Sequence, residues 1–203
     1  MRVVAFILGL QAAAAAFAVG GTSYAGPAGI EAKFDYCQTC HGPSAQGFRG
    51  YYTMPRLAGQ QPQYIMNQLH AFMAGRRHMP IMQRVVTGLT PDMIAPLAQR
   101  LNRLNPPPYV SGGLGSASVG RSIFESGIPE ANIPACVVCH APSATGHNQI
   151  PRLAGQLPWY LAKTLANWER ERHTETSAIM APIARNLSPA QVSAIAAYVS
   201  TLR

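Results

Sequence analysis

Apolar residues recur at helical spacing along most of the chain, and they do so in the same order in each half. Pro62 and Pro158 suit the first turn of a helix, and each is followed by apolar side chains that share one helical face. A later helix in each half has a second apolar stripe, formed by Ile94, Leu97, Leu101 and Leu104 or by Val192, Ile195, Val199 and Leu202. No stretch alternates as a strand does. The pattern therefore predicts an all-α protein.

The starts of these helices also carry capping signals. Thr90 and Ser188 each precede a proline and suit the N-cap of the last helix in their half, and Gln191 completes a capping box in the second half. Shorter helices are predicted around residues 30–36 and 119–125.

The two halves are internal repeats. The hexapeptide Pro-Arg-Leu-Ala-Gly-Gln occurs at 55–60 and again, residue for residue, at 151–156. A Tyr-containing helix, a methionine and a final capped helix follow it each time. We therefore predict a first domain at 26–105, a linker rich in proline and glycine at 106–117, and a second domain at 118–203.

Residues 1–25 have the order of a secretory signal peptide. Arg2 precedes an almost unbroken apolar and alanine-rich run, and Ser23-Tyr24-Ala25 suits a cleavage site before Gly26. The alternative is an uncleaved membrane anchor, which the shortness and the alanine content of the run disfavour. Export to an oxidising compartment makes the periplasm the expected location.

Two copies of Cys-x-x-Cys-His account for all four cysteines. They are Cys37, Cys40 and His41 in the first half and Cys136, Cys139 and His140 in the second. This spacing is typical of covalent c-type haem attachment, in which both thiols bond to one haem and the histidine becomes a ligand of its iron. The sequence therefore predicts two covalently attached haem c groups.

Three other interpretations of the cysteines are weaker. A redox disulfide of the thioredoxin type would follow a strand pattern that is absent here. A four-thiolate zinc site would have its two cysteine pairs much closer together in the chain. Four cysteines in 203 residues are also too few for a small disulfide-stapled fold.

Methionines are the expected second axial ligands. Met180 is the only methionine of the second half, and Met82 corresponds to it because both lie seven residues before a leucine, at 89 or 187. A thioether ligand raises the reduction potential and suits electron transfer. Met79 is the competing ligand in the first half, and His173 is the competing ligand in the second.

These motifs in this order resemble the dihaem cytochrome c4 family, over about residues 30–203. The resemblance implies two class I cytochrome c domains in tandem, facing each other about a pseudo-twofold axis with their haems close enough to exchange electrons. It also implies that the carbonyls of Pro55 and Pro151 accept a hydrogen bond from the proximal histidines. Two departures concern local packing: Ala141 stands where the family usually has glycine, and Arg100 stands opposite Tyr198.

Composition bears on the partners. The chain has 16 Lys and Arg against 8 Asp and Glu, and the first half carries most of the excess. This charge favours docking on an acidic partner or association with an anionic membrane surface, whereas no clustered basic stripe indicates nucleic-acid binding. Arg56 and Arg152 are candidates for neutralising haem propionates.

We expect an electron carrier, without substrate chemistry of its own, between a quinol-oxidising respiratory complex and a terminal oxidase. One alternative is the dihaem subunit of a dehydrogenase, such as a flavocytochrome. Another is a dihaem peroxidase, which is disfavoured because a methionine is available at both irons.

Overall fold

A computed structural model describes residues 26–50, 52–109, 117–171 and 178–203 of the chain. The predicted signal peptide 1–25, most of the predicted linker and His173 lie outside these ranges. Within them, no helix combines the length and the apolar character needed to cross a membrane.

The first half consists mainly of four helices. Proline occupies the first turn of each, where its missing N–H has no intrahelical partner to lose. The helices are α1 Pro27–His41, α2 Pro62–Met73, α3 Pro80–Val86 and α4 Pro91–Asn102. Their apolar faces meet in a core that includes Phe34, Ile65, Met93, Leu97 and Leu101.

The second half repeats this order with additional short helices, and the all-α prediction is confirmed. Its elements are α5 Ala117–Ser126, a 3₁₀ turn Pro129–Ala131, α6 Val137–His140, α7 Pro158–Ala166, α8 Trp168–Glu171, α9 Met180–Asn186 and α10 Pro189–Thr201. A separate core includes Ile123, Phe124, Leu161, Ile195 and Val199. Each half therefore has its own hydrophobic centre.

A small antiparallel hairpin in the first half was not predicted. Strand β1 Phe48–Arg49 pairs with β2 Thr53–Met54. Strands of two residues are too short to show alternation, which explains why the sequence pattern misses them. In the second half the corresponding loop has only an isolated bridge between His147 and Ile150.

Both predicted N-cap residues begin their helices, but only one of them makes a side-chain capping bond. The Ser188 hydroxyl accepts a hydrogen bond from the Gln191 N–H, and the Gln191 side chain accepts one from the Ser188 N–H. Thr90 is the N-cap residue of α4, as predicted, but its side chain makes no capping hydrogen bond. The Met93 N–H donates instead to the Thr90 carbonyl oxygen over 3.1 Å.

The first and last helices of each half pack together, with different chemistry in each. In the second half the rings of Phe124 and Tyr198 lie 5.7 Å apart at 58°. In the first half the guanidinium of Arg100 lies 4.0 Å from the centre of the Phe34 ring and also pairs with Glu31. A cation–π contact thus occupies the place where the second half has an aromatic pair.

Candidate cofactor sites

The first Cys-x-x-Cys-His motif ends helix α1. Helical geometry places Cys37, Cys40 and His41 on neighbouring positions of one face, because residues three and four apart are adjacent on a helix. His41 is only 6% exposed, and its Nδ1 lies 2.8 Å from the carbonyl oxygen of Pro55. A carbonyl can only accept, so Nδ1 carries the proton and Nε2 keeps the lone pair that binds a metal.

The second motif has a similar arrangement at the short helix α6, whose N-cap residue is Cys136. Cys136 is half-buried, Cys139 is exposed and His140 is buried. The Nδ1 of His140 donates to the carbonyl oxygen of Pro151 over 3.0 Å. Both hydrogen bonds that the resemblance implies are therefore present, and both histidines offer Nε2 as a metal ligand.

Ala141 adopts the conformation that Gly42 has in the first half. Its φ of 67° and ψ of 159° match the 85° and 154° of Gly42. The turn after the motif is therefore the same in both halves, although alanine replaces glycine in the second. A residue with a side chain is strained in this region of φ and ψ, which only glycine commonly adopts.

Burial sets the protonation of these groups. It lowers the pKa of His41 and of His140, which keeps both imidazoles neutral and able to bind iron. It also raises the pKa of the Cys37 thiol and raises that of Cys136 to about 11. A redox-active dithiol needs the opposite shift, so these values disfavour the thioredoxin-like alternative.

The zinc alternative is disfavoured as well. All four cysteines lie within the described ranges, and no two of them form a disulfide. No three His, Cys, Asp or Glu side chains in the described part of the chain come together as a metal-binding group.

The candidate methionines lie on corresponding helices. Met82 is in α3, which packs on α2, and Met180 begins α9, which packs on α7 and α8. Both are half-buried. Met79, the competing ligand, immediately precedes α3 and is half-buried too, whereas Met93 is fully buried in the core, as expected of a packing residue.

The arginines of the repeated hexapeptide are held by backbone carbonyls. Arg56 is only 3% exposed, and it donates to the carbonyl oxygens of Ala58 and Pro106 over 3.0 Å and 2.9 Å. Arg152 donates from Nε to the carbonyl oxygen of Ala154 over 3.0 Å. Burial and the nearby Arg152 lower the pKa of Arg56 to about 10. Neither guanidinium pairs with a carboxylate in the described part of the chain.

The glutamines that end the hexapeptides join the two halves, a role that the sequence analysis missed. Gln156 donates from Nε2 to the carbonyl oxygen of Arg56 over 2.9 Å and accepts from the Arg56 N–H over 2.8 Å. Gln60 makes the same pair of bonds with Arg152, at 3.0 Å and 2.7 Å. The exact duplication of the hexapeptide was the only signal of this role.

Known proteins are similar to both halves of the chain. The cytochrome c family model matches residues 119–203. A thiosulfate dehydrogenase electron acceptor from Stutzerimonas stutzeri (strain A1501) is 35% identical over 97% of this chain and 90% of its own length. A cytochrome c4 from Pseudomonas aeruginosa is 31% identical over 85% of this chain and 86% of its own length.

A solved structure is similar as well. Cytochrome c4 of Acidithiobacillus ferrooxidans superimposes with a TM-score of 0.73 at 33% identity, and the match covers 83% of this chain and 99% of that one. The similarity therefore extends over both motifs and the interface between them.

Proposed function

We propose that this chain, which belongs to the dihaem cytochrome c4 family, carries electrons from a quinol-oxidising respiratory complex to a terminal oxidase. As a member of that family it is an electron-transfer protein with two covalently bound haem c groups, and not an enzyme. The observation that best supports the proposal is the pair of buried histidines. Each follows two cysteines in its motif, and its imidazole ring is oriented by a proline carbonyl.

The residues of each motif fit a haem c group. Cys37 and Cys40 would tether one haem, and the Nε2 of His41 would bind its iron, which supplies a one-electron redox couple. The Pro55 carbonyl holds the imidazole ring in place and makes the histidine a more basic ligand. The buried guanidinium of Arg56 has no carboxylate partner in the described ranges, which suits a cofactor that carries propionates.

The second site would work in the same way. Cys136 and Cys139 would tether the second haem, His140 would bind its iron, and Pro151 would orient the ring. Corresponding positions in the repeat support Met82 and Met180 as the opposite ligands. These assignments place one haem in a domain at 26–105 and the other in a domain at 118–203, joined by a linker at 106–117.

A second candidate function is that of an electron acceptor for a dehydrogenase. It is favoured by the relative named as a thiosulfate dehydrogenase electron acceptor, which is similar over nearly the whole chain. The basic first half would suit an acidic docking partner or an anionic membrane surface in either role. Both roles fit a periplasmic protein exported by a signal peptide at 1–25.

The ligand assignment is tested by optical titration of the full-length haem-loaded protein. Two low-spin haems per chain are expected, and Met82→Ala and Met180→Ala should each abolish the methionine-to-iron charge-transfer absorption of one haem. Met79→Ala is the matched control and should abolish neither. If Met79→Ala removes the absorption instead, Met79 is the ligand of the first haem. A haem that keeps its absorption in all three variants would refute ligation by these three methionines, and a haem that lacks the absorption in the unsubstituted protein would refute methionine ligation there.

The two functions are separated by assaying electron donors. Under the first proposal, a quinol-oxidising membrane preparation reduces the purified protein and a terminal oxidase reoxidises it. Under the second, a dehydrogenase and its substrate reduce the protein in the absence of quinol. Stable co-purification with a dehydrogenase subunit would favour the second.

A further inference from the structure

One peptide group links the proximal histidine of the first half to the second half. Its carbonyl oxygen, on Pro55, accepts from His41 Nδ1 at 2.8 Å. Its N–H, on Arg56, donates to Oε1 of Gln156 at 2.8 Å. A single amide plane therefore lies between a ligand in one half and a side chain of the other.

The second half has the reciprocal connection. The peptide group between Pro151 and Arg152 accepts from His140 Nδ1 at 3.0 Å and donates to Oε1 of Gln60 at 2.7 Å. Each glutamine is thus connected, through one peptide group, to the proximal histidine of the opposite half and not to that of its own half.

The orientation of both glutamine amides is determined by their surroundings. Oε1 of Gln156 accepts from two backbone N–H groups, those of Arg56 and Leu157, while Nε2 donates to the Arg56 carbonyl oxygen. Gln60 is held by the equivalent three bonds. The two side chains are only 6% and 5% exposed, so water does not compete for these bonds.

We propose that Gln60 and Gln156 are positioning residues that tune the haem of the opposite domain. Hydrogen bonds at the two ends of one amide strengthen each other, because donation by the N–H moves electron density onto the carbonyl oxygen. A stronger bond to that oxygen makes the histidine more basic, which stabilises ferric iron and lowers the potential. The inference rests on the proposed ligation of haem iron by His41 and His140.

The test uses Gln156→Leu and Gln60→Leu in the full-length haem-loaded protein. The readout is the Nδ1–H signal of each proximal histidine in the reduced state, assigned by its contacts with Pro55 or Pro151, together with both reduction potentials. Gln156→Leu should move the His41 signal upfield and raise the potential of the first haem. Gln60→Leu should do the same to His140 and the second haem.

Gln61→Leu is the matched control. The Gln61 side chain also crosses the interface, donating to the carbonyl oxygen of Thr145 over 2.9 Å, but it touches neither proline–arginine peptide. This variant should leave both signals and both potentials unchanged. If a leucine variant of Gln60 or Gln156 does not fold, the corresponding asparagine variant is used, because it keeps an amide too short to reach the opposite arginine.

The crossed pattern decides the outcome. The inference would be overturned if the histidine Nδ1–H signal moved in the half that carries the substitution, or equally in both halves. It would also be overturned if neither signal moved, or if Gln61→Leu moved them to the same extent. Failure of the proposed ligation is recognised separately, because the unsubstituted protein would then lack two low-spin haems with histidine ligands.

Discussion

Gly120 is predicted to be required for close packing where the first and last helices of the second half cross. A Cβ atom at this position would lie 1.9 Å from the carbonyl oxygen of Ala194 and 2.4 Å from its carbonyl carbon, both of which are backbone atoms of α10. Ordinary contact begins at 3.4 Å, so Gly120→Ala would force the helices about 1.5 Å apart.

The size of the effect follows from two opposing contributions. Overpacking a close-packed core costs roughly 1–3 kcal/mol, and contact with rigid backbone places this site at the upper end, about 3 kcal/mol. Replacing glycine by alanine inside a helix contributes about 1 kcal/mol in the opposite direction. We therefore expect a net destabilisation of about 2 kcal/mol, which lowers the Tm of a domain of this size by roughly 10 °C.

Thermal unfolding followed by circular dichroism of the haem-loaded protein measures this effect. Ser122→Ala is the matched control on the exposed face of the same helix, and its effect should stay within about 0.5 kcal/mol. An unchanged or higher Tm for Gly120→Ala would refute the reasoning, because it would show that the helices separate without cost and that helix propensity alone decides the result.

Two further variants test the turn and the interface. Ala141→Gly should stabilise the protein by about 1 kcal/mol in thermal unfolding, because it relieves the strained backbone that Gly42 adopts freely; a lower Tm would contradict this. Leu157→Ala should cost about 2–5 kcal/mol, since Leu157 is fully buried and its Cδ1 lies against Gly47 of the other half. Calorimetry should then resolve two transitions, whereas one unshifted transition would show that Leu157 does not couple the halves.

Local signals predicted the parts of the fold that depend on neighbours in sequence. Prolines at the first helical turn locate α2 and α7, and the Ser188–Gln191 capping box is present because both partners lie within one turn. Thr90 begins α4 as predicted, but the local pattern did not show that its side chain makes no capping bond.

Contacts between distant residues could not be predicted in this way. Gln60 and Gln156 lie 92 and 100 residues from the arginines that they bind, so no periodic pattern connects them. The sequence suggested only a charge-neutralising role for Arg56 and Arg152. The structure adds that their backbone groups bond to the glutamines of the opposite half, while their side chains donate to carbonyls of their own half.

The β1–β2 hairpin is a second feature that the sequence did not predict. His41 and Pro55 are 14 residues apart, whereas His140 and Pro151 are 11 apart, and the longer segment of the first half contains strands β1 and β2. The hydrogen bond to histidine is kept in both halves despite this insertion. The length of the inserted segment could be predicted from the sequence. Its hairpin structure could not, because two-residue strands show no alternation of apolar and polar residues.

The glutamine bonds have a bearing on how such a tandem chain can arise. Gln60 binds Arg152 just as Gln156 binds Arg56, which is the self-complementary contact that two identical subunits make across a twofold axis. A single ancestral half with this hexapeptide would already carry both sides of the contact. Fusion of two copies would then have preserved the interface of an existing homodimer. Each haem site could afterwards diverge while the glutamine–arginine contacts between the halves stayed the same.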